Sequence, residues 1–170
     1  MNEAQSAKQF GMLIDELAVA GFEHYEISNF AKPGWQSKHN SNYWEGISYI
    51  GIGPSAHSFN GESRQWNVSN NMKYIESLER NKIPFEIEHL TIENRINEYI
   101  MTSLRTSRGI DLGLISQRFH SDYSSLILQN LESFLEKEWA TINDQKVVLT
   151  KTGKLFADHI ASELFVELTP

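Results

Sequence analysis

No cysteine occurs anywhere in the 170 residues. For this chain on its own, that excludes disulfides, thiolate nucleophiles, cysteine-held zinc and iron–sulfur clusters. No apolar run approaches the roughly 20 residues that span a bilayer, and the polar opening MNEAQSAKQF does not have a signal-peptide pattern. No membrane span is expected, and the cytoplasm is the expected compartment. Positive charge is in short supply, with 15 Lys and Arg against 22 Asp and Glu. Neither half of the chain has the basic excess of a nucleic-acid binder, so no nucleic-acid partner is expected. Internal repeats and low-complexity tracts are also absent.

What remains is 40% hydrophobic residues, enough for the core of one ordinary domain or two small ones. Residues 3–20 have apolar side chains at helical spacing (Ala4, Ala7, Phe10, Leu13, Ile14, Leu17), and Gly21 is placed to cap that helix. FEHYEISNF alternates like a strand over residues 22–30, with Phe22, His24, Glu26 and Ser28 on one side and Tyr25 and Ile27 on the other. A helix, a glycine and a strand make an α/β unit, which ordinarily belongs to a parallel sheet or barrel. Residues 31–70 show little periodicity, apart from a short buried strand expected in ISYIGIG. NNMKYIESLERN predicts a helix capped by Asn, and IPFEIEHL a short extended connection.

From residue 91 the periodicity strengthens. TIEN opens a helix with Ile92, Ile96, Tyr99, Ile100 and Leu104 on its apolar face. A glycine turn at RGIDL leads to a short helix (Leu112, Leu114, Ile115, Phe119) and then to a third from Tyr123 to Leu135, with Leu126, Ile127, Leu131, Phe134 and Leu135 inward. WATINDQKVVLT predicts a β-hairpin around Asn143–Lys146. A last helix runs through KTGKLFADHIASELF. Three helices, a hairpin and a closing helix resemble a winged-helix arrangement.

Three stretches could carry chemistry. In HNSNYW, a neutral imidazole at His39 is a good ligand for iron or zinc, and its aromatic neighbours could wall a planar group. The plainer reading makes His39 a hydrogen-bonded structural residue and puts Tyr43 and Trp44 in the core. GIGPSAHS offers a tight turn where backbone N–H groups could approach a ligand, or where backbone simply packs on backbone. It is neither a dinucleotide fingerprint nor a P-loop. In HYEISNF, Ser28 and Asn29 would lie nearest the mouth of a barrel, whereas Glu26 could simply meet a neighbouring cation. Ser58 lies in no nucleophile elbow. His89, His120 and His159 are isolated, and Arg105 and Arg108 suit a solvated face better than an anion site.

HYEISNFAKPG, SKHNSNYW and YIGIGPSAHSF, in this order, resemble the C-terminal part of the HemW-type heme chaperones. These are radical S-adenosylmethionine proteins of the oxygen-independent coproporphyrinogen III oxidase-like family. The closing LTKTGKLFADHI resembles that family's C-terminal domain. The resemblance implies an α+β chain: the last α/β unit of a truncated partial (β/α)6 radical SAM barrel, followed by a C-terminal winged-helix-like domain. It divides the chain into a barrel end at 1–60, a helical connector at 61–90 and the winged-helix-like domain at 91–167.

The resemblance also implies a heme site at His39, Asn40, Tyr43 and Trp44, with His39 as the iron ligand. It places Gly51, Gly53, Ala56 and His57 beside S-adenosylmethionine. No catalytic residue is assigned. The family's CxxxCxxC motif for a 4Fe-4S cluster is missing, so the chain alone is expected to be silent in radical chemistry. The implied partners are heme or another porphyrin and the missing N-terminal barrel half. A strand at 22–30 that has lost its neighbours is expected to pair with another chain in self-association, to pair with residues 47–52, or to be displaced. Two alternatives stay open. One is a coproporphyrinogen III oxidase, and the other is a nucleic-acid-binding module built on the winged helix.

Overall fold

The structure is a computed structural model that describes residues 2–119 and 123–167. The chain forms two compact units, one made of residues up to 45 together with those from 96 onward, the other of residues 46–95.

The first unit opens with α1 (Glu3–Val19), whose N-terminus is capped by Asn2 through its side-chain oxygen to Ala4 N–H. Gly21, at φ +76°, ends the helix, and Gly21 and Phe22 N–H bond back to Ala18 and Leu17. Only a residue without Cβ takes that backbone conformation at no steric cost. The next segment departs from expectation. Residues 22–30 do not form one strand but a hairpin, β1 (Glu23–Glu26) antiparallel to β2 (Asn29–Ala31). An irregularity between His24 and Glu26 disrupts the alternation, so Tyr25 and Glu26 are both buried. The other edge of β1 is occupied as well. Ile27 N–H donates to Arg105 C=O, Ser107 N–H donates to Tyr25 C=O, and Glu26 bridges Thr106. The open edge that motivated self-association is therefore filled from within the chain.

Helix α2 (Lys38–Trp44) follows, capped by Ser37. HNSNYW is thus helical, although residues 31–70 read as aperiodic. The remaining part of this unit follows the expected order. α4 (Ile92–Leu104) leads through β6 (Ile110–Asp111) into α5 (Leu112–Phe119) and α6 (Tyr123–Glu136). β7 (Ala140–Asn143) and β8 (Lys146–Leu149) form the hairpin. Asp144 and Gln145 both take positive φ at its turn, the arrangement that matches strand twist in two-residue hairpins. The sheet order is β6–β8–β7, all antiparallel. The closing helix is split into a 3-10 turn (Gly153–Phe156) and α7 (Ala157–Glu163).

Ile96, Ile100 and Leu104 of α4, Ile115 of α5, Ile127 and Leu131 of α6, Val147 of β8 and Ile160 of α7 build one core. Each fully buried side chain of this size contributes about 1.5–3 kcal/mol. Ile92 and Leu126, expected inward, are exposed at the ends of their stripes. His120 lies outside the described residues.

The second unit is a three-stranded antiparallel sheet of β3 (His57–Phe59), β4 (Ser63–Asn67) and β5 (Phe85–His89), with α3 (Asn71–Glu79) inserted between β4 and β5. Residues 61–90 are therefore a helix between two strands rather than a helical connector. Asn70 caps α3 as expected. ISYIGIG is not a buried strand: Tyr49 makes a single bridge to Phe59, while Ile50 and Ile52 are 82% and 87% exposed.

Candidate functional site

The motif helix α2 places its side chains on two faces. At about 100° per residue, His39 and Tyr43 share one face, and Ser41, Trp44 and Glu45 share the opposite one. His39 lies edge-on to Tyr43 with ring centroids 5.0 Å apart, and both are exposed. Trp44 instead turns toward the buried Tyr25 ring, 5.8 Å away, while Asn40 takes its place through its backbone, donating N–H to the Ser37 hydroxyl. The structure thus brings His39 to Tyr43 and Trp44 to Tyr25, and the four motif side chains do not converge on one point.

Behind the inner face lies a cleft of about 270 Å³. Tyr25, Trp44 and Tyr99 provide aromatic walls, and Ser41, Ser103 and Thr106 add hydroxyls. The Tyr25 hydroxyl accepts from Ser37 N–H, and the Tyr99 hydroxyl accepts from Asp111 N–H at 3.0 Å. Burial pushes the Tyr99 phenol above its ordinary pKa, so it stays neutral. At the mouth, Arg108 pairs with Glu45, and Lys146 is the register partner of Asp111. Arg108 lies on a solvated face, as expected, and meets a carboxylate of its own chain there. Tyr99, Asp111 and Glu45 carried no motif, Tyr25 lay in HYEISNF without an assigned role, and only their tertiary placement makes them part of this cleft.

A second polar cluster sits on β1. Glu26, 3% exposed, receives Arg105 Nε and Nη2 on one oxygen, both at 3.1 Å, and Ser28 N–H and Asn29 Nδ2 on the other. Arg105 also reaches Asp158 at 2.9 Å. Glu26 therefore meets a cation, and Ser28 and Asn29 form the turn that satisfies it. His24 Nε2–H donates to Ile27 C=O at 2.9 Å, which leaves Nδ1 to accept from the Lys154 ammonium at 3.0 Å. The ring stacks on Phe30 and meets Phe10 edge-on. Burial, with the Lys154 charge as a smaller cause, holds His24 below its ordinary pKa. Burial also lowers Lys154, against the pull of Glu26.

In the second unit, the glycine turn is closed on itself. Gly51 N–H donates to the Ser58 hydroxyl, Gly53 N–H to the Tyr74 hydroxyl, and Ala56 N–H to Gly53 C=O. The Asn67 amide donates to Gly53 C=O at 2.9 Å and more weakly to Gly51 C=O. A Cβ on Gly51 would lie 2.2 Å from His57 C=O, so backbone packs on backbone here. The amides a ligand would use are already engaged, and the His57 side chain is exposed, tilted beside Trp66. Among the described residues, no group of three or more His, Cys, Asp or Glu could hold a metal ion, and no helix is long and apolar enough to cross a membrane.

Comparison with known proteins adds a family to this geometry. Residues 90–156 match the HemN C-terminal domain. The chain is 30% identical over 98% of its length to heme chaperone HemW of Bacillus subtilis (strain 168), and 28% identical over 93% of its length to that of Mycobacterium tuberculosis (strain H37Rv). The likeness to HemN proteins lies in residues 90–156, and the likeness to HemW proteins runs along nearly the whole chain. In structure it is similar to HemN of Escherichia coli, a coproporphyrinogen III oxidase described as a radical SAM enzyme. The TM-score is 0.67 at 19% identity, covering 92% of this chain and 40% of that one. At that identity the likeness shows the shared fold alone. The chain spans 44% of the B. subtilis relative's length and 39% of the M. tuberculosis one.

Tyr99, Arg105, Arg108, Asp111 and Lys146 all fall in the segment matched to the HemN C-terminal domain. Tyr25, Trp44 and Glu45 precede it. The cleft is therefore built jointly by the HemN C-terminal domain and by the motif helix with its preceding hairpin.

Proposed function

We propose that this chain is the heme-handling part of a HemW-type radical SAM chaperone. The observation that carries the reading is similarity to proteins named heme chaperone HemW along almost the whole chain, with HNxxYW intact at His39–Trp44. The exposed outer face of α2 suits the role. His39 presents an imidazole to solvent with the Tyr43 ring at its edge, so an iron could gain an axial nitrogen and a porphyrin one aromatic neighbour. Asn40 and Trp44 would act by holding the helix rather than by touching the ligand. Heme bound there would be cargo, held on one side only.

The helix–strand–helix–helix–hairpin order from α4 to β8 supports reading that region as winged-helix-like, and α1 with its hairpin as the end of a barrel. In a longer protein of this family, S-adenosylmethionine and a 4Fe-4S cluster would supply radical chemistry, with the cluster held by cysteines this chain does not contain. Gly51, Gly53 and Ala56 engage their amides internally, so contact with S-adenosylmethionine would fall to the His57 side chain. A decarboxylating oxidase and a nucleic-acid module are the weaker readings, since the relatives matched along nearly the whole chain are named heme chaperones.

Hemin titration followed at the Soret band tests the assignment. His39→Ala is expected to shift the band and weaken binding at least about tenfold, as loss of a metal contact does. An unchanged spectrum and affinity would remove His39 as the ligand.

A further inference from the structure

α2 is poorly supported for a helix that carries a ligand-binding side chain. It has seven residues and buries none of them, and an isolated helix that short does not persist in water. Its inner face looks onto the cleft of about 270 Å³, with the Trp44 ring set against Tyr25. It has no basic residue in its last turn, and Glu45 at its C-cap adds a negative charge to the negative end of the helix dipole. Gly46, at φ +64°, ends it.

The N-terminal end is fastened by the Ser37 cap and by the Tyr25 hydroxyl on Ser37 N–H. The C-terminal end is fastened by Arg108, whose guanidinium pairs with Glu45 across 63 residues of sequence. Arg108 follows the 105–107 segment that zips onto β1, and its own N–H is held by Thr106 Oγ1 at 3.3 Å, so its backbone is fixed on the hairpin that carries Tyr25.

We infer that Arg108 is a positioning residue for the motif helix: by clasping Glu45 it supplies the cation that the last turn of α2 does not have, and so sets the orientation of His39 from the HemN C-terminal domain. The heme consequence rests on the proposed function, whereas the clasp itself does not. The pair is half-exposed, with Arg108 at 66% and Glu45 at 38% side-chain exposure, so its effect is modest and must be read directly on α2.

The test uses the full 170-residue chain as wild type, Arg108→Gln and the charge swap Glu45→Arg/Arg108→Glu. In the free protein, Arg108→Gln is expected to speed amide hydrogen exchange at residues 38–45 by about two- to fivefold, the range set by an exposed ion pair. Exchange in α6 should not change, and the swap should restore the original rate in part. With hemin, Arg108→Gln should weaken binding by a similar factor and alter the Soret band at saturation, which a loss of stability elsewhere would not do. Unchanged exchange at 38–45, or exchange that the swap fails to restore, overturns the clasp whatever hemin does. If His39→Ala abolishes a hemin complex that Arg108→Gln leaves untouched, the positioning role falls while the heme reading stands. If exchange responds as expected but His39→Ala has no effect on hemin, the clasp stands and the heme reading falls.

Discussion

Removing the Arg105 side chain should be among the most damaging changes in this chain, for a reason visible in one ion pair. Glu26 is almost fully buried, and one of its oxygens depends on Arg105 Nε and Nη2, both at 3.1 Å. Breaking a fully buried pair costs about 3–5 kcal/mol, because a charge is left without its partner. Here the second oxygen keeps Ser28 N–H and Asn29 Nδ2, and Arg105 itself is 30% exposed, so water can reach part of the site. We therefore expect Arg105→Ala to cost about 2–3 kcal/mol. The Asp158 arm adds little, since that carboxylate is mostly exposed. At this chain length the loss corresponds to about 5–10 °C in melting temperature. Urea unfolding followed by circular dichroism measures it, and Glu26→Gln combined with Arg105→Met should recover part of the loss, because neither partner is then left charged and alone. A stability for Arg105→Ala within about 0.5 kcal/mol of wild type at unchanged m-value would refute this account of the buried pair.

Gly153→Ala should destabilise by about 1–3 kcal/mol or more, because a Cβ there would lie 1.8 Å from Trp139 C=O, and the backbone must move; thermal melting reads it. His24 gives a pH dependence. Its folded pKa lies below 6.5, so the unfolded chain takes up the proton first, and stability present above pH 6.5 declines as pH falls through that value. His24→Gln should flatten this part of the pH–stability curve, and an identical slope in both proteins would count against it. Finally, Asn97→Ala should loosen the C-terminal segment. Its amide both donates to Val166 C=O and accepts from Val166 N–H, so a loss of about 1–3 kcal/mol and faster exchange of the Val166 amide are expected.

The C-terminal region was legible because its information is local. The 3.6-residue stripes of α4, α5 and α6 and the positive-φ turn at Asp144–Gln145 are encoded within a few residues each, and those elements formed where periodicity put them. Residues 22–45 were harder. The turn at Ile27–Ser28 has no glycine, so a continuous strand looked sound. It closes because the Glu26 carboxylate collects Ser28, Asn29 and, from 79 positions away, Arg105. α2 was missed because its seven residues bury nothing and so show no stripe, although Ser37 stood in the capping position.

By itself, the sequence determined the absence of cysteine ligands, the helices and hairpin after residue 91, the Gly21 cap and the HNxxYW motif that carries the resemblance to HemW-type proteins. Each is either composition or a pattern a few residues long. Only the tertiary structure decided that His39 and Trp44 face opposite ways, that the glycine turn spends its amides on Ser58 and Tyr74, and that both edges of β1 are covered. Those outcomes depend on partners brought from afar by folding. For Glu45 the partner is Arg108, and no local pattern around either residue announces the other.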